Sequence, residues 1–284
     1  MLSNRWIVLC ALIVLIAVLT VIGLSIDQPS LEMQQARISE LALDDIDRIE
    51  IQSGDMQLRL NRAEEAWTIE LPINWPAHAS NVKRLLSIVN SEAAPLADAA
   101  DVDLGALGLE QPVASLRFND TDLRFGASNN IGERRYLMID HQIYLLPDIH
   151  LAFIAQGLPG VVDRQLLPRR YQIESIGLPE LKIQRNADDQ WRTLPASEYS
   201  QAQLQQLIDN WQELQASRIK PLDLGGSVPQ LIEVELSDGQ SIDFLLISFE
   251  PELIIANSQI GLQYHFLRDY ADQLITIRDS ANAN

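Results

Sequence analysis

The chain has 284 residues, of which 21 are Lys or Arg and 39 are Asp or Glu, for a formal net charge of −18. That balance excludes a nucleic-acid binder, which needs basic surface to displace counterions, and a body lying flat on anionic lipid. Its single cysteine, Cys10, excludes a disulfide framework.

The first element is residues 6–26, WIVLCALIVLIAVLTVIGLSI, without charge or proline. A helix rises about 1.5 Å per residue, so roughly twenty residues cross the roughly 30 Å hydrocarbon core. The run reads as a transmembrane helix, with Trp6 at the interface. It exceeds the apolar region of a cleaved signal peptide, about 7–15 residues, and Gly23-Leu24-Ser25 is a poor cleavage match. Cys10 follows Leu9 deep inside the run, which excludes a lipoprotein signal. Arg5 ahead of the span places residues 1–5 in the cytoplasm and the rest of the chain in the periplasm, by the positive-inside tendency. Small residues Ala17, Thr20 and Gly23 share one helical spacing, but no G-x-x-x-G is formed, so the expected role is tethering.

Residues 27–45 read as a tether, broken from the helix at Pro29 and Ser30. The body then repeats itself, as a first unit over 46–170 and a second over 171–284. In each, an alternating strand ends on Arg (Arg62, Arg185), a polar turn follows, and a second strand opens on Trp (Trp67, Trp191) and runs to Pro (Pro72, Pro195). Both tryptophans read as core. A helix comes next, with Val82, Leu85, Leu86 and Val89 in one unit and Leu204, Leu207, Ile208 and Trp211 in the other at i, i+3, i+4, i+7. Ser80 is the expected N-cap of the first, and Ser200 with Gln203 forms a capping box in the second. Each unit continues with two hairpins. Their turns are expected at 119–122 and around His141 in the first unit, and at 237–240 and around Asn257-Ser258 in the second. Short helices at 149–156 and 267–275 close the units. The fold class expected is α+β: the transmembrane helix, then two tandem repeats of antiparallel sheet with packed helices.

Several stretches carry a resemblance. They are residues 103–112 with Gly108-Leu109 and Pro112, Leu123-Arg124-Phe125-Gly126, Arg135-Tyr136-Leu137, Ile143-Tyr144-Leu145-Leu146, and residues 162–167 with Asp163-Arg164 and Leu166-Leu167. Together they are similar to the bacterial domain-of-unknown-function family 4340 over roughly residues 46–178. The second unit looks like a degenerate copy, with Leu224-Gly225-Gly226-Ser227-Val228-Pro229 in place of the Gly-Leu-Glu-Gln-Pro element. The resemblance implies a single-span membrane protein in an accessory role, some members being similar to auxiliary proteins of gliding-motility-type ABC transporters. It carries no catalytic residues.

The residues themselves offer little chemistry. His78, His141, His150 and His265 have no second His or Cys at metal-ligand spacing. Asp98, Asp101 and Asp103, and the pair Asp120 and Asp122, read as solvated loops, with turn chemistry for the pair. Arg164, Arg169 and Arg170 sit between the units and read as partners of the acidic body. No catalytic, cofactor-binding or metal-ligating residue is assigned, and no cofactor. The expected function is a non-enzymatic accessory or scaffold subunit of an envelope complex, partnered by the membrane and an envelope protein. The alternative is a periplasmic binding module for a polysaccharide or peptide, with Tyr136, Tyr144, Tyr264 and Tyr270 as candidate platforms. A hydrolase comes third.

Overall fold

The computed structural model describes residues 36–129, 133–168 and 170–276. The expected membrane span at residues 6–26, with Cys10, lies outside them, as does Arg169. Among the described residues no helix is long and apolar enough to cross a membrane.

The chain opens with a short strand, β1 (Ala36–Arg37), and a 3-10 turn at Leu43–Asp45. A meander follows of β2 (Arg48–Ser53), β3 (Met56–Ala63), β4 (Ala66–Leu71) and the two-residue β5 (Trp75–Pro76). Helix α1 (Ala79–Leu86) leads through β6 (Glu92–Ala93) to β7 (Pro95–Asp98). A second meander runs β8 (Ala114–Phe118), β9 (Thr121–Asn129), β10 (Arg134–Ile139) and β11 (Gln142–Pro147), followed by short helices α2 (Leu151–Ile154) and α3 (Leu158–Val161). The pattern then recurs. Strands β12 (Ile173–Gly177), β13 (Lys182–Arg185) and β14 (Trp191–Leu194) precede helix α4 (Gln201–Glu213) and β15 (Arg218–Pro221). Strands β16 (Gln230–Leu236), β17 (Ser241–Ser248), β18 (Glu252–Asn257) and β19 (Leu262–Leu267) precede helix α5 (Ala271–Leu274).

The two large sheets are ordered β5-β4-β3-β2-β8-β9-β10-β11-β7 and β14-β13-β12-β16-β17-β18-β19-β15, so apart from β5 they share one strand order. In each, the helix carries the chain from one sheet edge to the other, and the following four strands fill the space between. Trp67 and Trp191 hold the same place: each is the cross-strand partner of an arginine, Arg62 and Arg185, whose guanidinium lies over its ring. Pro72 and Pro195 both follow cis peptide bonds.

Strand side chains alternate between faces. Ile49, Ile51, Leu58, Leu60, Leu116 and Phe118 of the first sheet and Ile183, Ile232, Val234, Phe244 and Ile255 of the second are buried in one continuous core that spans both sheets. Each such side chain contributes about 1.5–3 kcal/mol through burial. Helices α1 and α4 add their predicted stripes, with Val82, Leu85 and Leu86, and Leu204, Leu207, Ile208 and Trp211, all buried.

The molecule is mostly β, two antiparallel sheets with a few helices, and so holds less helix than an α+β reading anticipates. Strands β7 and β15 were unexpected. Ser80 is not the cap of α1: the N-cap is His78, without a side-chain bond, and its own N–H is taken by the Val161 carbonyl at 2.8 Å. The first hairpin turn is shorter than expected, because Thr121 and Asp122 already pair with Phe118 and Arg117. The closing helices are shorter than expected: α2 takes up only Leu151–Ile154 of residues 149–156, with α3 beyond them, and in residues 267–275 a 3-10 turn at Arg268–Tyr270 runs into α5. The described residues of the expected tether are docked: Ala36 and Arg37 pair with Ala93 and Glu92, and Ile38 is buried, because its apolar side chain finds the core edge.

Candidate functional site

The acidic residues singled out above divide into two groups. Asp98 and Asp103 cap their own turns, accepting from the backbone N–H of Ala100 (2.9 Å) and of Gly105 (2.9 Å). Asp120, Asp122, Asp140 and His141 converge on a hollow of about 200 Å³ at the ends of β9 and β10, beside Arg124. Asp122 is already committed, because Arg117 donates to it at 2.6 and 3.2 Å, and that bond holds its carboxyl below the usual range. Among the described residues no three His, Cys, Asp or Glu side chains are arranged to hold a metal ion.

The same bond ends a ladder across the outer face of the first sheet. Glu70, Arg59, Glu50, Arg117 and Asp122 alternate in sign over five neighbouring strands, at 3.5, 3.1, 4.0 and 2.6 Å. Each exposed pair is worth about 0–1 kcal/mol. The ladder's chemical effect is that these charges satisfy one another.

Residues 103–112 with Gly126, Arg135 and Ile143, which carry part of the family resemblance, build a seal on the first sheet. Leu109 is fully buried against Met138 and Ile143 on the outer face of β10 and β11. The loop that brings it there lies close on β9, where the Leu107 carbonyl accepts from Ala127 N–H at 2.8 Å. A Cβ on Gly126 would stand 2.4 Å from that carbonyl, so only glycine admits the loop. Arg135 clamps the corner, donating to Asp148 at 2.8 and 2.7 Å and to the Gly126 carbonyl at 2.5 Å. The second sheet lacks this seal. Counting along the paired strands from Trp67 and Trp191, Ile247 stands where Gly126 stands. Val228 in the corresponding loop is 94% exposed, and Leu231 is 57% exposed.

Residues 162–167 form the seam between the sheets. Leu166 and Leu167 are buried, and Arg164 donates to the carbonyls of Ala216 (2.8 Å) and Ser217. Trp75 stacks on Tyr171 with ring centroids 5.3 Å apart. Nearby, Trp75 Nε1 and the Tyr264 hydroxyl are buried and, among the described residues, have no well-formed hydrogen bond; the weak contact between the two only slightly favours the phenolate. Burial first, and Asp163 second, push the Tyr264 phenol well above its usual range. The open cleft along the seam, lined by Asn81, Gln156, Pro159, Arg164, Ser217 and Arg218, holds about 240 Å³. That is below the roughly 300–1,000 Å³ of ordinary small-molecule sites.

Of the four candidate tyrosine platforms, Tyr264 is fully buried and so offers no surface. The other three are half-buried: Tyr270 meets Phe266 edge-on at 6.1 Å, Tyr144 packs on the main core and Tyr136 on the small outer one. His150 is half-buried at the N-cap of α2, and burial pushes its imidazole down, with Arg84 adding to the effect.

One polar cluster was not anticipated. His265 is 3% exposed on the outer side of β19. Its Nδ1 lies 3.0 Å from Glu252 Oε2, and its Nε2 lies 3.0 Å from Gln263 Nε2. The His265 hydrogen bond holds the Glu252 carboxyl below its usual range, with Arg218 contributing. A carboxylate on Nδ1 is the orienting half of a general-base dyad. Here, however, Nε2 faces an amide, where a nucleophile would have to stand. The only trace in sequence is the alternation of Gln263 and His265 on one face of an apolar strand.

No curated protein matches the chain, and no solved structure does. A family model, Domain of unknown function (DUF4340), matches residues 67–224. The match begins at Trp67 in β4, crosses the seam and ends at Leu224 ahead of β16, so it reaches further into the second sheet than the resembling stretches do. Because it takes in more than half of the chain, the protein belongs to the DUF4340 family.

Proposed function

We propose that this protein is a non-enzymatic accessory or scaffold subunit of a bacterial envelope complex, an ABC transporter being one such complex. In this reading residues 6–26 span the inner membrane, the N-terminus is cytoplasmic, and the body is periplasmic. The shared strand order is read as an internal duplication in which one copy has kept its outer seal and the other has lost it. One observation supports the proposal: Val228 and Leu231, three residues apart where the loop enters β16, stand 94% and 57% exposed beside the second sheet's outer face. Neighbouring large apolar side chains left in water favour an interaction surface. By contrast, the seam cleft is small and the charged face of the first sheet is internally paired, so neither of these two places favours the polysaccharide- or peptide-binding alternative.

The test has two arms. A reporter active only outside the cytoplasm, fused after Asn284, should work. Activity from a cytoplasm-only reporter instead would remove the localisation. Replacing Leu231 and Val228 by Asp should release a co-purifying membrane complex, while Arg117→Ala should not. Equal retention by both variants would remove the proposed surface.

A further inference from the structure

The loop over residues 222–229 is fastened by a hydrogen-bond chain whose donor and acceptor order is set from one end. Asp223 contributes a backbone N–H, which can only donate, and it lies 3.1 Å from Gln263 Oε1. The Gln263 amide is therefore oriented with its NH₂ toward His265, 3.0 Å from Nε2. An NH₂ can only donate, so Nε2 must be the bare, accepting nitrogen. The ring proton then sits on Nδ1 and is donated to Glu252 Oε2 at 3.0 Å. That order gives Gln263, Nε2 and Glu252 a partner each; Arg218 Nη2, 3.4 Å from Nδ1, donates to the same Glu252 oxygen.

From this order we infer that His265 is a pH-sensitive latch on the loop over residues 222–229, closed when the ring is neutral and released when Nε2 takes up a proton. A proton on Nε2 would point at the Gln263 NH₂, donor against donor. Rotating the amide brings Oε1 to the ring but turns the NH₂ onto the Asp223 N–H, moving the same conflict to the loop. The ring has 3% exposure, so water cannot relieve it in place. The charges facing His265 are Glu252 on β18, which favours the imidazolium, and Arg218 on β15, its cross-strand partner, 3.4 Å from Nδ1, which opposes it. Lys220, opposite Gln263, adds a second positive charge from β15, and Asp223 a negative one from the loop. The first sheet supplies a contrast: in the corresponding pairing Ile143 stands where Gln263 stands and is covered by Leu109, so that loop is held by apolar contact alone at this point.

The test is hydrogen exchange on the full chain at about pH 8 and about pH 5, either side of the ordinary histidine range, with rates corrected for intrinsic exchange. Protection of residues 222–229 should fall about tenfold or more at the lower pH, as expected for one unsatisfied buried donor, while residues 103–112 keep theirs. Gln263→Glu offers an acceptor to both Nε2–H and the Asp223 N–H, so in that variant the loop should be better protected at the lower pH. His265→Gln should abolish the dependence. Equal change in both loops, or a dependence that survives His265→Gln, would overturn the latch. Nitrogen-15 spectra of histidine in the unaltered chain decide independently of any variant. A proton on Nδ1 at about pH 8 is expected, and a proton on Nε2 would overturn the inference.

Discussion

Gly126 and Gly177 are both strand glycines, yet they should respond differently to alanine. At Gly126 the new Cβ would meet the Leu107 carbonyl at 2.4 Å, whereas at Gly177 the nearest atom is 3.6 Å away. Gly126→Ala should therefore destabilise by about 1–3 kcal/mol, as overpacking does. Gly177→Ala should be within about 1 kcal/mol of the parent, or stabilising, because the unfolded chain loses freedom. Urea midpoints at constant slope would show this. Asp148 is the residue to watch in acid. Arg135 holds its carboxyl below the usual range. A carboxyl with a lower pKa folded than unfolded contributes fully above its unfolded range, about pH 4, and loses that contribution as pH falls through the folded value. Asp148→Asn should cost about 1.5–3 kcal/mol at neutral pH, the range for a charge-assisted bond, and less as the parent carboxyl protonates. A cost that does not shrink in acid would show that the pair is not the source.

At the scale of elements, α4 carries two devices at its N-terminus. Ser200 and Gln203 form the capping box, and Gln201 turns its amide onto the backbone of Trp191, accepting from its N–H at 2.8 Å and donating to its carbonyl. That amide does for the edge of β14 what β5 does for β4: it occupies hydrogen-bonding groups that would otherwise be open to another chain. Ser200→Ala should cost about 0.5–2 kcal/mol. Gln201→Leu should cost about 1–3 kcal/mol through the unpaired backbone groups and, unlike Ser200→Ala, should produce concentration-dependent association by light scattering. The capping box was readable because its partners are three residues apart. The Gln201 contact was not, because it depends on where β14 ends up. The same limit hid β7 and β15. Each is four residues long and pairs with a strand some forty residues further along the chain, so no local period announces it. The His265 cluster was hidden for a related reason: Arg218, Asp223 and Glu252 reach it from separate elements.

At the scale of the whole molecule, two sheets share one core through a seam centred on Trp75 and Tyr171. The unaltered body should therefore unfold in a single calorimetric transition. Trp75→Ala should remove about 3–5 kcal/mol and separate the transition into two, while Trp75→Phe should keep the stack and the single peak. Two peaks in the parent would mean that the seam is weaker than its packing implies. The likeness in strand order of the two sheets was legible in advance because alternating strands, the paired tryptophans and the two amphipathic helices are local patterns. The seam was not, since Trp75 and Tyr171 become neighbours only after both sheets exist.

The two-residue ladder between β1 and β6 sets how the body responds to force. Tension applied ahead of Ala36 falls first on the pairing with Ala93, then on that of Arg37 with Glu92, then on the Ile38 N–H bond to Ser91. These contacts open in succession, like a zip; each backbone bond resists with about 0.5–1.5 kcal/mol, and the buried Ile38 side chain adds about 1.5–3 kcal/mol. The sheets, closed by long ladders, stay intact, and Arg62 and Asn119 still hold the carbonyls of Asp44 and Asp45. Residues 36–42 would then unwind as extended chain at about 3.3 Å each, lengthening the reach of the body by roughly 20 Å. The segment is a spring with a low release threshold, and it rewinds when the load is gone.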